Sequence, residues 1–296
     1  MKKKTSEVLA FYLFISPWLL GFLLLSLIPM LYSLVSSFMD WDGIVAPVFT
    51  GLKNFSEMFR DELFYKSLSN TFYFALASVP LNIIVALFLA MMINAKRRGA
   101  YFFRSLFYLP SVVSGVAIYV VWLRLFNSES GYINYFLKFL GIQGPSWLKN
   151  PKITMLSIIL MSVSFCGSQM LIFLAGLQDV PRVYYEAALI DGAGRLTTFF
   201  RITLPLLSPV ILFNLIMGII GGLQVFTQPF VLSNGEGTPA YSTYVYAMGI
   251  YKSAFMQHRF GYASALAWVM FLVIMALSLL VFASSKKWVF QQGGDE

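Results

Sequence analysis

The fold class this sequence predicts is an all-α integral membrane protein of about six transmembrane helices. Three observations carry the prediction. Of the 296 residues, 58% are hydrophobic, 17% aromatic and only 11% charged, with a mean hydropathy of +0.74; soluble domains hold about 45–50% apolar and about 25% charged residues. Six stretches approach or exceed the roughly 20 apolar residues that cross a bilayer. The basic residues gather at the ends of these stretches and form no single run or face. The net charge of +8 therefore reads as membrane topology, and a nucleic-acid partner is set aside.

Span one covers residues 9–38. Lys2, Lys3 and Lys4 before apolar sequence could open a signal peptide. The apolar run from Val8 to about Phe38 far exceeds an h-region, however, and no small-residue cleavage site closes it. It is expected to be retained, and it is long enough to kink at Pro17 or Pro29. Span two covers 68–95 and is followed by "AKRRGAYFFR", with Lys96, Arg97, Arg98 and Arg104. Span three covers 105–126, with Arg124 near one end, where its long stem can snorkel. In the next loop "GYINYFLKFLGI", residues 131–142, is the best candidate for a short amphipathic helix. Span four covers 153–177 and holds the single cysteine, Cys166, expected to be a small core residue. A polar segment at 178–203 leads to span five, 204–232, and span six covers 261–284. The chain thus reads as one transmembrane domain, 9–284, between an N-terminus at 1–8 and a tail at 285–296.

With six spans, the N-terminal lysines, the basic loop and Lys286 and Lys287 of the tail share one side, which is cytoplasmic. Both termini and the polar segment lie there. Asp40, Asp42, Glu57, Asp61 and Glu62 lie on the opposite side. Trp18, Trp41, Trp147 and Trp288 near span ends read as interface anchors. Gly218 and Gly222 form GxxxG, which in a polytopic bundle suggests tight internal packing.

Several function classes lose support. One cysteine excludes a disulfide framework and a cysteine-based metal site, and the lone His258 reads as a solvated loop residue, so no metal is expected. There is no GxxxxGK[ST], no HExxH and no GxSxG, hence no catalytic residues and no expectation of an enzyme. The spans hold almost no ionisable groups, which weakens an ion-coupled carrier without removing it. If solute moves uphill, the free energy enters from a partner.

The polar segment, "LQDVPRVYYEAALIDGAGRLTTFFRITLPLLSPV", is the place to look. Asp179 can cap a helix starting near Pro181. Ala187 and Ala188 favour its continuation, and Gly192 and Gly194 permit a turn. A second helix then starts near Arg195 and runs into the membrane at Leu204-Pro205. Ala187, Ala188 and Gly192 leave a flat face that another protein's groove could approach, with Glu186 to fix the register. The residues equally allow an interfacial helix resting on lipid.

Glu186-Ala187-Ala188, Gly192 and Ile202-x-Leu204-Pro205 match, at complete spacing, the EAA signature of ABC importer permeases. The stretches "SPWLLGFLLLSLIPMLYSLVSSFMDW", "NTFYFALASVPLNIIVALFLAMMIN", "RSLFYLPSVVSGVAIYVVW", "FLAGLQDVP" and "QVFTQPFVLSNGEGT" resemble the sugar branch of that family, of the kind of the larger maltose-permease subunit. The resemblance runs from near residue 11 to the last span. It implies the type I importer permease fold, with a cytoplasmic coupling helix that seats in a cleft of a separate ATPase. Glu186 would meet a basic residue there, and Gly192 would provide the turn beside Asp191. Arg182 and Arg195 would be rim contacts, or alternatively contacts to lipid phosphate. The chain would bind no cofactor itself, ATP and Mg2+ being used by the ATPase. Its partners would be a second permease, two ATP-binding cassette subunits, an extracytoplasmic solute-binding protein and membrane lipid, in the bacterial cytoplasmic membrane. Neither the maltose subunit's extra N-terminal spans and large insertion nor the second permease type's basic C-terminal extension is found. The resemblance is thus to a compact first-type half of a heterodimer.

A neutral sugar needs flat aromatic faces and uncharged hydrogen-bonding groups. Gln224 and Gln228, four apart, would share a helical face beside Phe226, Thr227 and the interrupting Pro229. Ser168 and Gln169 in span four, Asn82 in span two and Tyr119 in span three complete the candidates. Each could instead make an interhelical hydrogen bond. A self-sufficient transporter or facilitator for a small polar solute remains the alternative function.

Overall fold

The computed structural model describes residues 2–95 and 99–290, with the side chains of 2–9 excepted. Lys96, Arg97 and Arg98 and the side chains of Lys2, Lys3 and Lys4 therefore lie outside the described residues.

The chain is helical almost throughout. Helix α1 (Lys2–Phe22), a π turn (Leu23–Leu27) and α2 (Ile28–Ser36) are followed by strands β1 (Met39–Asp40) and β2 (Val48–Phe49), then α3 (Lys53–Met58), α4 (Glu62–Asn94), α5 (Ala100–Val112), α6 (Gly115–Leu125) and α7 (Tyr132–Phe139). Next come α8 (Pro151–Ser162), a 3-10 turn (Val163–Phe165), α9 (Gly167–Asp179), α10 (Arg182–Ile190), α11 (Arg195–Thr198) and a second π turn (Phe199–Thr203). The chain continues through α12 (Leu204–Leu206), α13 (Ser208–Leu223), α14 (Thr227–Ser233), α15 (Tyr246–Tyr251), a third π turn (Lys252–Met256) and α16 (Phe260–Ser285). Among the described residues, four helical stretches, Ala10–Ser36, Glu62–Asn94, Ser208–Ser233 and Phe260–Ser285, are long and apolar enough to cross a membrane, and two bent pairs raise the number to six if each crosses once.

Those bent pairs are the third and fourth spans. Helices α5 and α6 meet at 100°, and α8 with its 3-10 turn meets α9 at 49°. Both breaks fall at serine–glycine sequence, "SG" at 114–115 and "SFCGS" at 164–168, a known setting for sharp kinks. Proline explains three other irregularities. A proline lacks the N–H that would reach the carbonyl four residues back, and its ring crowds that carbonyl. The π turn at Leu23–Leu27 contains the residue four before Pro29, and the turn at Phe199–Thr203 the residue four before Pro205. Val225, outside any helix, stands four before Pro229. Of the two sites considered for the kink in span one, Pro29 has the irregular turn, while Pro17 lies inside unbroken α1.

The chain divides into two compact units. In the first, residues 1–61 with 249–271, most apolar side chains of span one face outward. The β1–β2 hairpin pairs Met39 with Phe49, and Asn54 Nδ2 on α3 donates to the Ser37 and Met39 carbonyls at 2.9 Å each. Trp268 Nε1 donates to Ser33 Oγ at 3.0 Å. Arg259 grips Glu57 with both guanidinium arms, at 2.7 and 2.6 Å, and lies 4.6 Å from the centre of the Tyr262 ring. The Arg259 hydrogen bonds hold the Glu57 carboxyl below its ordinary value, and Glu57 in turn raises the Arg259 guanidinium. The backbone N–H groups of Ile44 and Val45 lower Asp42 in the same way.

In the second unit, residues 62–248 with 272–296, α4 is the central strut. Its Ala86 and Ala90 pack with Cys166, Met170, Phe173 and Leu207, all buried. Nearer its start, Phe74 packs with Ile158, Val245 and Met248. A methyl group added at Gly218 would lie 2.7 Å from Val79 Cγ1, and one at Gly222 would lie 3.2 Å from Ala75 Cβ. The GxxxG pair thus serves close packing of α13 on α4. The stretch at 131–142 does form a helix, α7. Trp147 braces the loop around α7. Its Nε1 donates to Asn134 Oδ1 at 2.7 Å, and Asn134 Nδ2 donates to the Ser128 and Pro145 carbonyls.

Candidate functional site

Span five loses its helix at Gln224–Phe226. The break turns Phe226, Thr227 and Gln228 toward a cavity of about 380 Å3 walled by α4, α6, α8, α9, α13 and α14. Its aromatic surfaces come from Phe74, Tyr119, Phe165 and Phe226, and its polar groups from Ser78, Asn82, Ser162, Gln169, Thr227 and Gln228. Among the described lining residues none is ionisable at neutral pH, so the cavity suits a neutral solute. Gly218, Gly221 and Gly222 form a smooth side of the wall.

Hydrogen bonds fix parts of this wall. Asn82 Nδ2 donates to Ser162 Oγ at 3.1 Å, tying α4 to α8. Trp122 Nε1 donates to Ser164 Oγ at 2.9 Å, tying α6 to the 3-10 turn. Gln228 differs. It is only 8% exposed, yet among the described residues its Oε1 has no hydrogen-bond partner. A buried acceptor left unpaired costs about 1–3 kcal/mol.

Six of the eight sequence candidates line this cavity: Asn82, Tyr119, Gln169, Phe226, Thr227 and Gln228. Gln224 and Ser168 do not; both are exposed elsewhere. Gln224 and Gln228 do not share a helical face, because the helix between them is broken. The sequence reading missed Phe74, Ser78, Ser162 and Phe165. Phe74, Ser78 and Asn82 recur every four residues on unbroken α4, so extending helical spacing back from Asn82 would have found two of them.

The polar segment carries a different kind of surface. Asp179 does not cap its helix: it is the last residue of α9, and Pro181 holds the N-cap position of α10 without a side-chain bond. At the other end Ala193 N–H donates to the Ala188 carbonyl and Gly192 N–H to the Leu189 carbonyl, at 2.9 and 3.1 Å. Gly192 has φ +71°. This is a Schellman stop, whose left-handed position favours glycine. Arg182, Glu186, Ala187, Asp191, Gly192 and Arg195 are exposed. Ala188 is buried at 6%, so it packs inward and is not on the outer face expected for it. Exposed apolar residues surround the charges, notably Leu189 at 75% and Ile190 at 86%.

Residues 82–289 match the family described as binding-protein-dependent transport system inner membrane component. The chain belongs to that family. The matched region includes most of the cavity wall and the whole polar segment. Among relatives in the family, the chain is 44% identical to the probable ABC transporter permease protein YesP of Bacillus subtilis, across 100% of this chain and 97% of that protein. It is 35% identical to the lactose transport system permease protein LacF of Rhizobium radiobacter, covering 93% and 94%. It is 33% identical to the arabinooligosaccharides transport system permease protein AraP of B. subtilis, covering 93% and 88%. In fold it resembles a chain of a bacterial alginate ABC transporter, solved in complex with an alginate pentasaccharide-bound periplasmic protein. The TM-score is 0.83 over 97% of each chain, at 22% identity.

Proposed function

We propose that this chain is the transmembrane permease subunit of an ATP-driven, binding-protein-dependent ABC importer for a sugar or oligosaccharide. It forms half of the translocation pathway, opposite a second permease, and two ATP-binding cassette subunits hydrolyse ATP with Mg2+. An extracytoplasmic binding protein delivers the solute, and both termini lie in the cytoplasm with the polar segment. The observation that carries the reading is the uncharged cavity among the spans, with aromatic faces and neutral polar groups such as Asn82, Gln169 and Thr227. Those groups suit hydroxyl donors and the apolar faces of sugar rings. The names of LacF and AraP support the substrate class.

Helix α10 is the segment that seats in the ATPase. Leu189 and Ile190, exposed beside Glu186, Arg182, Asp191 and Arg195, suit a protein groove with an apolar floor and charged rim better than open water.

The test is reconstitution in vesicles of the complete complex with its binding protein. Gln228→Leu is expected to depress sugar-stimulated hydrolysis and uptake about tenfold while sparing basal hydrolysis. Glu186→Lys is expected to abolish uptake while the protein remains in the membrane. Unaltered uptake in both variants, or ion-driven uptake by this chain alone, would refute the proposal.

A further inference from the structure

Among the described residues, one side-chain hydrogen bond joins α10 to the foot of span five: Tyr185 Oη to Thr203 Oγ1, at 3.2 Å. The Thr203 hydroxyl donates to the Thr198 carbonyl at 3.5 Å. Either hydroxyl can donate in the link, since each carries one proton and can also accept. Thr203 is buried at 7% and Tyr185 is half-buried, which shields the bond from competing water.

The receiving end is mechanically unusual. Thr203 closes the π turn Phe199–Thr203, in which Leu204 N–H reaches back five residues to the Phe199 carbonyl. The three-residue α12 follows, with Pro205 at its centre, and only from Ser208 does span five run as a long helix. Such π turns hold one residue more than an α turn and are common at functional sites. A displacement applied at Thr203 therefore enters span five at its irregular foot, before the long helix α13 that walls the cavity.

We propose that the Tyr185–Thr203 hydrogen bond transmits movement of α10 to the π turn of span five. Tyr185 and Thr203 are then positioning residues for transport: they touch neither solute nor nucleotide, and they set how much of each ATPase stroke reaches the cavity. The inference rests on the docking role of α10 proposed above.

The experiment uses the reconstituted complex and reads sugar transported per ATP hydrolysed. Tyr185→Phe removes the hydroxyl and keeps the ring. It is expected to leave assembly and basal hydrolysis within about twofold and to lower the transport-to-hydrolysis ratio about three- to tenfold, the scale of one lost hydrogen bond. Thr203→Val is expected to do the same, Thr203→Ser to restore the ratio, and the Tyr185→Phe/Thr203→Val pair to be no worse than either single variant. An unchanged ratio in both single variants overturns the proposal. So does multiplication of the two defects, or a parallel fall in stability, hydrolysis and uptake, which marks a purely structural role. Glu186→Lys separates the two levels. If it transports normally, the docking reading itself fails; if it is inactive while Tyr185→Phe is fully coupled, only the link fails.

Discussion

Replacing Gly218 by alanine tests the packing of span five on span two. The new methyl would stand 2.7 Å from Val79 Cγ1, whereas carbon atoms rest at about 3.5–4.0 Å. Something must retreat by roughly 1 Å. Val79 is β-branched with restricted rotamers in a helix, so the backbones of α4 and α13 must part. Overpacking of this kind costs about 1–3 kcal/mol. Two neighbours calibrate the effect. At Gly222 the closest approach is 3.2 Å, to Ala75 Cβ and Val79 Cγ2, and at Gly221 nothing lies within 4 Å. The destabilisation should therefore rank Gly218→Ala above Gly222→Ala, with Gly221→Ala near wild type. Thermal denaturation of the detergent-solubilised complex measures the ranking. Val79→Ala, added to Gly218→Ala, removes the colliding methyls and should recover most of the loss. Equal stability of the Gly218 and Gly221 variants, or a further drop on adding Val79→Ala, would show that α13 is not seated on α4 as described.

Two other perturbations have defined outcomes. Gly192→Ala meets no neighbouring atom, so its cost is the left-handed backbone alone, about 1–2 kcal/mol. Membrane-bound ATPase and uptake should both fall, whereas Gly194→Ala, at φ −71°, should leave them intact; equal effects would mean the stop geometry is unimportant. The Arg259 hydrogen bonds hold Glu57 below the ordinary glutamate value, so the pairing stabilises fully above that ordinary value and weakens as pH falls through the lower folded one. Both side chains are over 40% exposed, so screening keeps the effect to about 1 kcal/mol or less. The melting-temperature gap between wild type and Glu57→Gln should be present at pH 7 and close in acid, below the ordinary glutamate range; a gap independent of pH would place the stabilisation elsewhere.

Much of this architecture was legible in the sequence because hydrophobic length and glycine chemistry are local properties. The apolar stretches, the stop at Gly192, the amphipathic α7 and the tight pairing at Gly218 and Gly222 each follow from residues close together in the chain. The failures share one cause. Placing Gln224 beside Gln228 assumed an unbroken helix, and hydropathy summed along a stretch is blind to the dihedrals of Val225 and Phe226. The bends after Val112 and Phe165 were hidden in the same way. Asp179 was misplaced because span four stays helical to that residue, leaving no free cap. Whether Ala188 faces in or out depends on its neighbours in space. For the cavity, residue types pointed to the right helices, but the wall is assembled from separate segments and only their packing selects Ser162 and Phe165.

The fractured third and fourth spans bear on how the protein is made. Their pieces are 13, 11, 12 and 13 residues long, each well short of the roughly 20 needed to cross a bilayer unaided. Each fracture also leaves amide groups that hydrocarbon cannot solvate. The two fractures help cover one another: the Ser111 hydroxyl donates to the Phe165 carbonyl at 3.4 Å, and Trp122 reaches Ser164. During biosynthesis these segments should therefore leave the translocon as a joined hairpin, with the earlier one waiting at its exit for the later one to emerge.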